Sequence, residues 1–192
     1  MSSFREVFLF LIKIIFELYF LVVLFRFIFD YFKIQTTTLP QVAQYMYKIT
    51  DPLLHPLQKY LPTYKGIDLA ILTLLFLIKA VELLFIALLA KGGFPGLLSL
   101  IIWPIGEILS TTLNLFCVAV IVVAIMSWFM PQRHTPITAV LFQMTDIFLQ
   151  PARRMIPPVG GFDISPLVVL VVLKIIDILI AVPLIKIGIS LA

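Results

Sequence analysis

Apolar residues run along the chain in stretches long enough to cross a bilayer, separated by shorter intervals of mixed polarity. About 30 Å of hydrocarbon needs about 20 apolar residues in a helix. Four stretches meet that length: about Val7 to Phe32, about Asp68 to Ala90, a long run between Leu97 and Met130, and about Ile164 to Ile189. At about 1.5 Å per residue the third is too long for one span. Pro104 and Gly106 offer a break. The pattern therefore predicts an interfacial or re-entrant piece over about 96–104 and a main span over about 105–130, with Trp103 and Trp128 near its ends as interface anchors. The first stretch reads as a membrane helix and not a cleavable signal: it is too long, it carries Lys13 and Glu17, and no small-x-small site follows.

Two intervals, about 36–66 and 132–162, switch to a helical period. Ile137, Val140, Leu141, Met144 and Phe148 fall on one helix face, with Thr135 placed to cap it and Pro136 at its first position. Pro40, Val42, Met46 and Ile49 repeat the design. Each predicts an amphipathic helix of about ten residues lying in the interface or folding back into it.

The two intervals are also copies of one another. Residues 50–68 read TDPLLHPLQKYLPTYKGID and residues 145–163 read TDIFLQPARRMIPPVGGFD. A constant offset of 95 maps Thr50, Asp51, Pro56, Lys59, Pro62, Gly66 and Asp68 onto Thr145, Asp146, Pro151, Arg154, Pro157, Gly161 and Asp163. It continues into the next span, where Lys79 maps onto Lys174 and Glu82 onto Asp177. The expected fold is an all-α membrane protein of four transmembrane helices in two tandem parallel repeats, residues 1–92 and 93–192. Each repeat carries a short interfacial helix and a Pro-rich connector.

Composition agrees with this. Of 192 residues 62% are hydrophobic and 12% charged, and mean hydropathy is +1.15. Soluble domains run near 45–50% apolar and 25% charged, so the surplus must face lipid. The net charge of +4 comes from scattered basic residues, which argues against nucleic-acid binding. Lys33, Lys48, Lys59, Lys65, Arg133, Arg153 and Arg154 all lie in the two connector segments. The positive-inside rule then places both connectors in the cytoplasm and both termini outside.

Asp51 followed by Pro52 reads as a helix start, with Pro56 interrupting and Pro62 ending the short helix. Gly66 and Gly161 suit tight turns, and Asp68 and Asp163 cap the next spans. The connectors are either punctuation that returns the chain to the bilayer or basic surfaces for anionic lipid or a membrane-protein partner around Lys59, Arg153 and Arg154.

The charges inside the spans are costlier, about 2.5–3.5 kcal/mol each at mid-depth even on lenient scales. Lys79 and Glu82, like Lys174 and Asp177, are three residues apart on one helix face, where they can neutralise each other. Lys13 with Glu17, Arg26, Glu107 and Asn114 add to an expected polar cluster shared by the two repeats. Such a cluster can be packing glue, an assembly surface or an ion path, and a path through four spans would call for a homo-oligomer. No zinc, P-loop, dinucleotide or nucleophile-elbow motif is present, and His55, His134 and Cys117 are scattered. The reading is a non-enzyme with no cofactor or metal.

The repeated T-D-P-L-L-x-P-x-x-x-x-L-P with its following G-I-D, together with Met126-Ser127-Trp128 and Arg26, resembles the YggT (YlmG) family of bacterial and plastid membrane proteins. The likeness covers nearly the whole chain, although Ile147 stands where Pro52 stands in the first copy. It implies a multi-pass protein of the bacterial inner membrane. An accessory or scaffold role in osmotic-stress tolerance, cell division or envelope organisation follows from the same resemblance. The alternative is a component of an ion or small-solute path.

Overall fold

The computed structural model describes residues 2–32, 40–64, 66–90, 93–129, 136–156 and 163–191. Lys33, Lys65, Arg133, His134, Thr135, Pro157 and Gly161 lie outside them, as does the side chain of Trp128. Four stretches are long and apolar enough to cross a membrane: Phe4–Tyr31, Leu69–Leu89, Ser99–Ser127 and Ser165–Ser190. They belong to α1 (Ser2–Tyr31), α3 (Leu69–Ala90), α4 (Ser99–Phe129) and a final helix made of α6 (Ser165–Ile176), a π-helical segment (Asp177–Ala181) and α7 (Val182–Ser190). Between the spans lie the amphipathic helices α2 (Pro40–Gln58) and α5 (Pro136–Met155).

The spans pack side by side: α3 lies between α1 and α4, and α4 lies between α3 and the final helix. Each amphipathic helix rests on the two spans of its own repeat, α2 on α1 and α3, and α5 on α4 and α6. Leu54 and its counterpart Leu149 are both fully buried in the core, beside Phe20, Val23, Leu75 and Val120. The outward faces of α1 and α6 carry exposed Phe4, Phe10, Leu167 and Val172, as lipid-facing helices should.

Three sequence expectations are corrected. First, α4 is continuous from Ser99, with no re-entrant piece at 96–104. Pro104 lies in the second turn, where only the Leu100 carbonyl loses its helical partner. Gly106 is a packing site and not a break: a Cβ there would meet Ile185 at 2.8 Å. On α7, a Cβ at Gly188 would lie 2.5 Å from Trp103 Cβ, so small residues let α4 and α7 approach closely. Second, Trp103 is buried against that crossing and is not an interface anchor.

Third, α2 and α5 are 19 and 20 residues long, about twice the expected length. Both run through their prolines, Pro52 and Pro56 in α2 and Pro151 in α5. Asp51 and Asp146 therefore sit inside helices and not at their starts. Burial of Leu54 and Leu149 on the spans holds these helices through the missing N–H groups, tertiary packing overriding local preference.

The final span bends its ladder at Asp177, whose carbonyl accepts from Val182 N–H five residues on. This wider turn gives room to the ring of Pro183, which would otherwise press on the preceding turn. Between α2 and α3, Thr63–Tyr64 (β1) and Ile67–Asp68 (β2) pair antiparallel, a two-rung addition to an otherwise helical fold. Gly66, in the turn between them, has φ of 85°, which a side chain would resist.

Candidate functional site

The Thr-Asp pair of the first connector is held from the first span. Arg26, buried in α1, donates from Nη1 to Thr50 Oγ1 and to Asp51 Oδ1, the latter at 2.5 Å. Its guanidinium lies 4.5 Å from the centre of the Tyr47 ring, and Tyr47 donates to Asp30 Oδ1 at 2.7 Å. Thr50 turns its own proton back to the Met46 carbonyl, 2.8 Å away. Burial, then the hydrogen bond and charge of Asp30, push the Tyr47 phenol up to about 12. Thr145 makes the same backward bond to Leu141 in the second copy. There Ile121 occupies the position of Arg26, and Asp146 is approached instead by Arg153 Nη1 at 3.7 Å.

The far ends of the two connectors match more closely. Gln58 Nε2 donates to Asp68 Oδ2 at 2.7 Å, while Asp68 Oδ1 accepts the Ala70 N–H at 2.9 Å. Arg153 Nε donates to Asp163 Oδ2 at 2.8 Å, while Asp163 Oδ1 accepts the Ser165 N–H at 2.9 Å. Asp68 and Asp163 thus satisfy orphan donors at the starts of α3 and α6 and also bind the preceding helices. Burial opposes the charge of Asp163, but Arg153 and the Ser165 N–H outweigh it and hold the carboxyl below its ordinary value. Gln58 was not legible as a site residue from its own surroundings. Its offset of 95 from Arg153 was the available signal. Lys59 and Arg154 are exposed, as are Pro52, Pro56, Pro62, Pro151 and His55.

Inside the spans the polar residues form two sets. In the first, Lys79 Nζ donates to Glu17 Oε2 at 2.6 Å and to Glu82 Oε2 at 2.9 Å and lies 4.7 Å from the centre of the Phe20 ring. Lys79 and Glu82 are each 1% exposed. Glu17 reaches across to α3 and leaves Lys13 exposed on α1. In the second set, Lys174 donates to Asn114 and stands 3.4 Å from Asp177 Oδ2. Asp177 accepts from Ser110 at 2.8 Å, and Asn114 donates to the Ser110 hydroxyl oxygen at 3.3 Å.

Ser110 was missed in the sequence, where a hydroxyl in an apolar run gives no signal of its partner. Each set lies within one repeat, in place of the single shared cluster expected. Glu107 on α4 lies within electrostatic range of Lys79, Glu82, Glu17 and Lys13. The two sets differ in depth within the protein, since half of the Lys174 side chain is exposed.

Among the described residues, no three His, Cys, Asp or Glu side chains gather as a metal site. Cavities of about 390 and 370 Å³ lie beside α2 and α5, walled by aliphatic and aromatic side chains.

The family model described as CCB3/YggT matches the chain twice, over residues 6–89 and 102–184. An uncharacterized protein of Pseudomonas aeruginosa is 34% identical over 165 residues, 85% of this chain and 83% of that one. The uncharacterized protein YggT of Escherichia coli strain K12 is 35% identical over 137 residues, 70% of this chain and 69% of that one. An uncharacterized protein of Vibrio alginolyticus is 30% identical over 174 residues, 86% of this chain and 88% of that one. No solved structure matches significantly.

Proposed function

The chain belongs to the CCB3/YggT family, and from that premise we propose that it is a non-enzymatic assembly protein of a bacterial inner membrane. The observation that carries this reading is the pairing of the buried cations. Lys79 is taken up by Glu17 and Glu82, and Arg26 by Thr50 and Asp51. Groups bonded in this way fix how helices pack, and they stand within a repeat and not along a common path. The exposed cations Lys59 and Arg154 then remain on the connectors for contact with an acidic partner or surface. Helical spans suit an inner membrane, and the basic connectors suit its cytoplasmic side. The repeats divide at about 92/93, and the tolerance of osmotic stress or the organisation of the envelope is the setting that the sequence resemblance implies.

In-cell photocrosslinking from residues 59 and 154 tests the reading. One reproducible protein adduct from both positions is the expected outcome, with the adduct from residue 59 weakened by Arg154→Glu and that from residue 154 by Lys59→Glu. Adducts with bulk lipid alone would count against it. A second reading, an ion or small-solute path, rests on Glu107 facing the Lys79 set from the other repeat and on the partial exposure of Glu17.

A further inference from the structure

The cavity of about 390 Å³ has walls that repeat the duplication. Val42, Tyr45, Met46 and Ile49 of α2 line one side, and Ile137, Val140, Leu141 and Met144 of α5 line the other. The members of the two quartets are related, one to one, by the offset of 95. The floor is Val22, Phe25 and Phe29 from the last three turns of α1. The two amphipathic helices thus present identical register positions across a cleft. The cleft is open: Tyr45 is 69% exposed, Ile137 61% and Val42 53%. Its volume falls within the roughly 300–1,000 Å³ of ligand sites.

We propose that this cleft holds one acyl chain of an anionic phospholipid, with the headgroup at Lys48. Phe25 decides which medium the cleft meets. It belongs to a spanning helix and is itself partly exposed, so the floor opens sideways to hydrocarbon and not to water. The cleft also lies near the end of the span at Tyr31, the depth at which a lipid passes from chain to headgroup. Lys48 is exposed on α2 one turn beyond Tyr45, and its ammonium complements a phosphate. A chain lying there fills the space between the two amphipathic helices, and so joins the two halves. The inference is independent of the assembly role proposed above, because it concerns lipid retention and not a protein adduct.

The test is native mass spectrometry of the full-length protein released from vesicles of equal phosphatidylglycerol and phosphatidylcholine. The expected result is one phosphatidylglycerol retained per chain, preferred about fivefold, as one lysine near an anionic headgroup warrants. Val42→Trp with Ile137→Trp should fill the cleft and reduce retention about tenfold or more. Lys48→Glu should abolish the headgroup preference with circular dichroism unchanged. Equal retention by the tryptophan pair would overturn the proposal, as would a lipid-free dimer, which would make a second copy the occupant. If the tryptophan pair does not fold, Lys48→Glu decides: an unchanged preference for phosphatidylglycerol overturns the proposal, and a lost one supports it.

Discussion

Lys79 Nζ lies 2.6 Å from Glu17 Oε2, joining the middle of α3 to α1 across 62 residues of sequence. The bond is made by a lysine that is almost wholly buried, with Glu82 as its second acceptor. Lys174, at the corresponding position, is half exposed and pairs with Asn114 and Asp177. Equivalent sequence positions therefore carry unequal structural loads.

Lys79→Met should reflect that inequality. Removing one partner of a buried pair leaves carboxylates uncompensated and costs about 3–5 kcal/mol. Lys174→Met, at a half-exposed site, should cost under about 1 kcal/mol. Thermal unfolding in detergent compares the two. Adding Glu82→Leu and Glu17→Leu to Lys79→Met should recover most of the loss. Equal losses for Lys79→Met and Lys174→Met would contradict the structure.

Arg26→Gln should free α2 from α1. Hydrogen bonds from a charged group are worth about 1.5–3 kcal/mol, and Arg26 makes one to Thr50 and one to Asp51. Arg26→Lys should recover little, since the shorter ammonium loses the stacking of the guanidinium on Tyr47. Hydrogen exchange of α2 amides should quicken in both variants, while α5 amides stay protected.

Gly188→Leu should separate α4 from α7, because even a Cβ would lie 2.5 Å from Trp103 Cβ. Overpacking costs about 1–3 kcal/mol, more where backbone must move. Intrinsic fluorescence of Trp103 should shift as its environment opens. An unchanged spectrum and melting temperature would show that the crossing is looser than described.

Two connector groups, a carboxylate and a phenol, should give stability opposite dependences on pH. Asp163 is held below its ordinary value of 3.8 by Arg153 and Ser165. Its contribution is therefore complete above about pH 3.8 and is lost as pH falls through the lower folded-state value. Asp163→Asn should lower stability at neutral pH and flatten the acid limb of the stability curve. Tyr47 shows the opposite sign: with its phenol pushed up to about 12, its contribution is complete below pH 10 and is lost as pH rises toward 12. Phenolate absorbance should contain a transition near 12 that Tyr47→Phe removes.

Much of this architecture was legible in the sequence for physical reasons. Spanning length is a property of composition, so all four spans stood out. The offset of 95 fixed which residues correspond, including Asp68 with Asp163. The prolines misled. Pro52, Pro56 and Pro104 are local breakers, yet burial of Leu54 and the α4–α7 contact keep their helices whole. Partners were harder to read. Glu17 reaches Lys79 and not its neighbour Lys13, because spacing along one helix says nothing of what the next helix presents. Ser110 is visible only when the helices are placed together.

Ion flux through reconstituted vesicles tests most directly whether the buried charges serve packing or passage. Wild-type protein in sealed vesicles should give no flux above protein-free vesicles. The charge-neutral triple variant at Glu17, Lys79 and Glu82 should behave the same, while it still folds and still yields the connector adduct in cells. A wild-type flux that the triple variant abolishes would contradict the assembly role and establish these groups as a path.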